Sequence, residues 1–213
     1  MKEFEHRYIT YNKTDIINKL KRLGAIQIHK PTIYEYTVFI HPLKEKEKEK
    51  DRDNYIRVRK EFDKVTLTYK CNLKQKYVDE YETEVSDYDQ TVEILYKLGA
   101  KKKYEIQKLR EKWKIKGCKE IIFDTYPGLP EYMEIECDSV SNIKKLEKKL
   151  GLNEEKFHAG SLYEELYGLS KDRKQNGDLT FKTVQKVIKP YINKNHKLFD
   201  KIIKVQKKII SLT

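Results

Sequence analysis

Tyr55-Ile56-Arg57-Val58-Arg59-Lys60-Glu61 and Lys64-Val65-Thr66-Leu67-Thr68-Tyr69-Lys70 decide the fold. In both stretches apolar and polar residues alternate with a period of two, so Ile56 and Val58 take one side of a strand and Arg57 and Arg59 the other. Val65, Leu67 and Tyr69 oppose Thr66, Thr68 and Lys70 in the same way. Working outward, the same alternation predicts strands over 2–9, 32–40, 77–85, 104–116, 119–125 and 131–138, which makes eight with the first two. Helices are signalled between them by capping residues and a following glycine. They open at Thr14 or Asp15, at Asp89, and at Ser141 or Asn142, and end at Leu23-Gly24, Leu98-Gly99 and Leu150-Gly151. Each is too short to stand alone and must lie against the sheet. A strand carrying Glu-x-Glu (Glu3-Phe4-Glu5, Glu82-Thr83-Glu84, Glu134-Ile135-Glu136) followed by a helix ending in Leu-Gly occurs three times. The expected class is α+β: an antiparallel sheet of eight strands that can close a barrel, with helices packed outside.

The chain has 213 residues, with 46 Lys and Arg against 34 Asp and Glu, a net charge of +12. From Ser170 onward there are 12 basic residues against 3 acidic, so most of the excess lies in the tail. No apolar run approaches the roughly 20 residues of a spanning helix, and the first residues lack the apolar stretch of a signal peptide. A cytoplasmic protein with no membrane partner is expected. Cys71, Cys118 and Cys137 form no CxxC pair and are odd in number, so free thiols are expected. The charged run 44–53 reads as a solvated loop and 170–177 as a linker. Beyond the linker come a helical segment near 180–189, a break at Pro190, and a helix with Leu198, Ile202, Val205 and Ile209 on one stripe. The domains are therefore expected as 1–169 and a basic helical extension, 170–213. The stripe is expected to dock on this domain or on a second subunit in a homodimer. Nucleic acid bound through Lys204, Lys207 and Lys208 is the less favoured use of the tail.

The alternation gives nearly every strand one charged face. Glu3, Glu5 and Arg7 share a face, as do Arg57 with Arg59, Glu80 with Glu82 and Glu84, Lys108 with Arg110 and Lys112, and Glu134 with Glu136. A face that only serves solubility mixes its signs; this one stacks like charges, which costs free energy unless opposite charge is held there. Paired carboxylates suit a hard divalent cation. Arg and Lys suit phosphate oxygens, Arg through its planar fork. Together they describe a site for a metal-bound polyphosphate.

These residues carry a family resemblance. Glu3-Phe4-Glu5-His6-Arg7 resembles the amino-terminal ExExK signature of the CYTH superfamily, the class IV adenylyl cyclases and thiamine triphosphatases among the triphosphate tunnel metalloenzymes. Ile56-Arg57-Val58-Arg59, Leu67-Thr68-Tyr69-Lys70, Glu82-Thr83-Glu84, Lys108-Leu109-Arg110, Asp124, Pro127-Gly128-Leu129 and Glu134-Ile135-Glu136 follow in that family's order. Ser161-Leu162-Tyr163-Glu164-Glu165-Leu166 resembles its closing element. The resemblance implies a tunnel that threads a triphosphate, with Mg²⁺ or Mn²⁺ held by Glu3, Glu5, Asp124, Glu134 and Glu136. It implies phosphate binding by Arg7, Arg57, Arg59, Lys70, Lys108 and Arg110, a catalytic set of Glu134, Glu136 and Lys70, and support from Glu82 and Glu84. Arg7 stands where the family has Lys, and a guanidinium stays protonated, so it is no base. The implied activity is hydrolysis of a small triphosphate: thiamine triphosphate, a nucleoside triphosphate or tripolyphosphate. The alternatives are cyclic AMP formation from ATP and noncatalytic binding of polyphosphate or an RNA 5′ end.

Overall fold

The structure, a computed structural model, describes residues 4–40, 54–71, 79–153, 155, 159–169 and 178–211. Glu3, the charged run 44–53 and the linker 170–177 lie outside the described residues. The eight strands are β1 Phe4–Tyr8, β2 Ile26–Ile40, β3 Tyr55–Glu61, β4 Lys64–Cys71, β5 Asp79–Val85, β6 Lys101–Ile115, β7 Cys118–Thr125 and β8 Tyr132–Cys137. They form one antiparallel sheet in the order β1-β8-β7-β6-β2-β3-β4-β5, with β1 and β5 as the end strands. Among the described residues six α-helices accompany them: α1 Lys13–Arg22, α2 Tyr88–Lys97, α3 Val140–Leu150, α4 Ala159–Tyr167, α5 Val184–Val187 and α6 His196–Ile210. The α+β class with eight strands is as expected. Among the described residues no helix is long and apolar enough to cross a membrane.

The chain packs as two compact units. The first comprises Met1–Thr32, Lys108–Leu169 and Ile192–Thr213; the second comprises Ile33–Gln107 and Ser170–Tyr191. In the first, Tyr8, Trp113, Ile121, Phe123, Met133 and Ile135 turn one sheet face toward Ile16 and Leu20 of α1 and Ile143, Leu146 and Leu150 of α3. In the second, Phe39, Val58 and Val65 pack with Leu95 of α2. Helices thus cover the apolar sheet face in each unit, which leaves the charged face on the other side.

Each predicted helix begins earlier than its spacing indicated, because an upstream residue in extended backbone provides the cap. Asn12 accepts from the Asp15 N–H, Asp87 from that of Gln90, and Ser139 from that of Asn142. Gly151 ends α3 at φ 75°, ψ 39°, a left-handed conformation that a side chain disfavours, while its N–H bonds Glu147 O.

Two expectations are corrected. Cys118 and Cys137 are not free thiols: the β7–β8 register sets them opposite each other, and they are joined as a disulfide that does not include Cys71. Strand pairing makes this contact without CxxC spacing. In the tail, Leu198, Ile202, Val205 and Ile209 are not the row of α6 that is buried on this domain. The α6 residues buried in the first unit are Phe199, Ile203 and Gln206, one position further along.

Gln206 is buried because the turn between β7 and β8 supplies its hydrogen bonds. Its Oε1 accepts from the Gly128 N–H at 2.8 Å, and its Nε2 donates to Tyr126 O and Leu129 O, both at 2.9 Å. From α4, Tyr163 donates to Pro127 O at 2.7 Å and Tyr167 to Gly128 O at 2.5 Å. The closing sequence element and the tail helix therefore hold the same Pro127-Gly128-Leu129 turn, which fixes the end of β7 that carries Asp124.

Candidate functional site

In the first unit, register builds the charged face. Glu5 lies opposite Glu136 and Arg7 opposite Glu134 on β1 and β8. Glu136 also faces Glu120, Asp124 faces Tyr132, and Arg110 faces Asp124. The Arg7 guanidinium donates through Nε to Glu134 Oε1 at 2.8 Å and pairs with Glu5 through Nη2. Burial pulls its pKa down, but the Glu134 hydrogen bond and the Glu5 charge more than offset this and raise it. Lys119 reaches Glu136 at 2.7 Å, and Lys112 pairs with Glu120.

Asp124 differs from the other carboxylates in being fully buried. Lys108 Nζ lies 2.8 Å from Oδ2, Arg110 Nε 2.7 Å from Oδ1 and Arg110 Nη2 2.5 Å from Oδ2, while the Asp124 side chain is 0% exposed. Burial alone would push its pKa up; the charges and hydrogen bonds of Lys108 and Arg110 reverse this and hold it below the usual aspartate value. Lys108 Nζ also sits 5.6 Å from the centre of the Tyr126 ring, and that ring stacks at 6.3 Å on Tyr132. Tyr132 is held in its neutral form by burial first and then by the Asp124 charge.

In the second unit, Arg57 faces Thr68, which faces Glu82; Arg59 faces Thr66, which faces Glu84; and Lys70 faces Glu80. Lys70 Nζ is 2.9 Å from Glu80. Thr68 donates to Glu82 at 2.8 Å, and the two guanidinium groups approach Glu80 and Glu82 only at 3.5–3.9 Å. Arg57 Nε, Arg59 Nε and Thr66 Oγ1 are buried and have no hydrogen-bond partner among the described residues. Arg59 Nε stands 3.4 Å from Glu61 Oε2 without the alignment of a hydrogen bond. Native interiors rarely strand charged donors in this way, and a planar guanidinium N–H suits a phosphate oxygen. Tyr34 is a packing residue: it is buried, set edge-on against Phe62, and donates to Glu61.

The predicted site residues therefore form two sets. The first unit gathers Glu5, Arg7, Lys108, Arg110, Asp124, Glu134 and Glu136; the second gathers Arg57, Arg59, Lys70, Glu82 and Glu84. His6, on the opposite face from Glu5, pairs with Glu147 at 2.8 Å and is a packed polar residue rather than a ligand. Glu80, Thr66 and Glu120 stand on the same faces, outside the predicted site residues. All three stand two positions along a strand from, or directly opposite, residues that the sequence singles out, so the period of two was the available signal.

The donor set fits a hard divalent cation in type, since Glu5, Glu134 and Glu136 offer only carboxylate oxygens and retain partial exposure, at 27%, 14% and 13%. Among the described residues no three acidic, His or Cys side chains already converge on a metal position. Arg7 lies between Glu5 and Glu134.

The CYTH domain family model matches residues 1–160. A relative in Methanocaldococcus jannaschii, named "Putative adenylate cyclase MJ0240", is 29% identical over 153 residues, which is 70% of this chain and 84% of that protein. The solved protein PH1012 of Pyrococcus horikoshii is 24% identical, with a TM-score of 0.50 over 71% of this chain and 92% of its own. A Vibrio parahaemolyticus structure, 13% identical, gives a TM-score of 0.52 over 75% and 96%. The two structures share the fold, and the family match, covering most of the chain, shows that this protein belongs to the CYTH domain family.

Proposed function

We propose that the chain hydrolyses a small triphosphate, such as thiamine triphosphate, a nucleoside triphosphate or tripolyphosphate, with Mg²⁺ or Mn²⁺. The observation that carries the reading is the pair of buried guanidinium donors without a hydrogen bond among the described residues, Arg57 Nε and Arg59 Nε, with Thr66 Oγ1 on the same face. These groups are oriented before any ligand arrives, so the cost of ordering them is already met. Arg57 and Arg59 donate to nonbridging oxygens, and Lys70, 2.9 Å from Glu80, adds a point charge. Within the first unit, Arg7, Lys108 and Arg110 are cations as well, the last two aligned by Asp124.

Glu5, Glu134 and Glu136 would hold the metal, together with Glu3, which lies outside the described residues. When bound, the ion supplies charge neutralisation at phosphate oxygens and a water of lowered pKa. Attack of water on the terminal phosphorus breaks its bridging P–O bond and yields a diphosphate and orthophosphate.

A second reading, cyclic AMP formation from ATP, is favoured by the name of the Methanocaldococcus jannaschii relative. One experiment separates the two. Purified protein is incubated with ATP, thiamine triphosphate or tripolyphosphate and MgCl₂ or MnCl₂, and orthophosphate and cyclic AMP are both measured. Orthophosphate release, lost in Glu134→Ala while tripolyphosphate binding persists, is the expected result. Cyclic AMP and pyrophosphate as main products would establish the cyclase, and binding without turnover of any triphosphate would leave a binder.

A further inference from the structure

We infer that α6 and the Leu129-Pro130 segment form a docking groove for an acidic amphipathic helix of a partner protein. The inference is independent of the triphosphate reading.

Residues of α6 sort into three rows with helical spacing. Phe199, Ile203 and Gln206 are buried. One position behind, Leu198, Ile202, Val205 and Ile209 line a groove of about 430 Å³ whose far side includes Leu129 and Pro130. Along the next row stand Lys197, Lys201, Lys204 and Lys208, all exposed, and none makes an ion pair among the described residues. Val205 is 50% exposed and Leu198 38% exposed, large apolar side chains left at the surface beside a row of unneutralised ammonium groups. The groove is preformed, because Gln206 fixes α6 to Tyr126 O, the Gly128 N–H and Leu129 O.

Charge and shape select the occupant. Nucleic acid would use the lysines but leave the apolar row in water. A second copy would bring its own lysine row to the same groove, and α6 carries one acidic residue, Asp200, which lies outside both rows. An anionic bilayer is flat, whereas this surface is a groove walled by Leu129 and Pro130. An acidic helix satisfies both rows: apolar residues at i, i+3 or i+4 and i+7 enter the groove while Asp and Glu on its flank face the lysines.

The test is a selection of displayed random 16-residue peptides on the immobilised full chain, followed by fluorescence anisotropy with the enriched peptides. The expected consensus is helical apolar spacing flanked by acids. Val205→Glu should raise the dissociation constant by about tenfold or more, as for a central interface residue. Lys201→Glu should raise it by about fivefold at low salt, with the effect shrinking as salt is added. Both positions are exposed, and unchanged Trp113 fluorescence verifies that the variants fold. Any of four results would overturn the inference: no enrichment, enrichment without acids, peptides indifferent to Val205→Glu, or a dimer in sedimentation that Val205→Glu dissociates. Vesicles of phosphatidylcholine and phosphatidylserine serve as the bilayer control, and binding to them through Val205 with no peptide enriched would overturn it as well.

Discussion

Asp124→Asn removes a charge from between two cations while preserving shape. In the folded chain the carboxylate is fully buried and accepts from Lys108 once and from Arg110 twice, at 2.5–2.8 Å. Asparagine keeps one acceptor oxygen but removes the Asp124 charge from beside Lys108 and Arg110, themselves only 12% and 14% exposed. Removing one partner from a buried ion pair costs about 3–5 kcal/mol. For a chain of this size each kcal/mol lowers the melting temperature by about 2–4 °C, so a drop of about 6–20 °C is expected. Trp113 is the single tryptophan and is buried in the core of the first unit, so its fluorescence during urea or thermal unfolding follows the unit that holds Asp124. The pH dependence has a fixed sign. The folded pKa is depressed, so the stabilisation is complete above the ordinary aspartate value of about 3.9 and disappears as pH falls through the folded value. Wild type should lose this increment in acid, and the difference from Asp124→Asn should narrow there. A loss under about 1 kcal/mol near neutral pH, the size of an exposed ion pair, would refute the buried triad.

Arg57→Met should weaken tripolyphosphate binding by about 10- to 100-fold in calorimetry, since a charge-assisted hydrogen bond contributes about 1.5–3 kcal/mol; an unchanged affinity would remove the observation on which the proposed function rests. Glu147→Gln should destabilise the first unit by about 1–3 kcal/mol, read by Trp113 in urea. Glu147 accepts from His6 and Tyr8, and these bonds outweigh burial and lower its pKa, so its contribution also fades as pH falls through that lowered value. A thiol count on the denatured chain should give one reactive group, Cys71, before reduction and three after it, and three before reduction would disprove the Cys118–Cys137 link.

Much of the fold was legible because a strand with one buried face writes its pleat into the sequence. β3 was predicted at its observed bounds, and β4 and β7 to within one residue. Alternation fails where neither face is buried. β2 begins at Ile26 rather than 32, and there Ile26 and Ile28 are 68% and 42% exposed, so the ladder alone extends the strand. β6 likewise begins three positions early, on exposed Lys101, Lys102 and Lys103. The disulfide was illegible for a related reason: it depends on register between β7 and β8, a property of two strands together.

The site divides along the same line between local and long-range information. Which residues share a face follows from spacing within one strand, and the sets Glu5 with Arg7, Arg57 with Arg59 and Glu134 with Glu136 were read that way. What each charge touches depends on its neighbours in the sheet. Residue type and place in the family order single out Asp124, but they do not tell that both its oxygens are engaged by Lys108 and Arg110. Glu80, assigned no role from the sequence, is what holds Lys70. The tail shows the same limit within one helix. Periodicity establishes that α6 is amphipathic, but two adjacent rows satisfy it, and hydrophobicity alone selects Leu198, Ile202, Val205 and Ile209. The row that docks includes Gln206, because the turn after β7 offers one backbone donor and two acceptors that only a polar side chain can meet. Hydrogen bonding at one position decides which side of the helix faces inward, and so leaves the more apolar row and its flanking lysines at the surface.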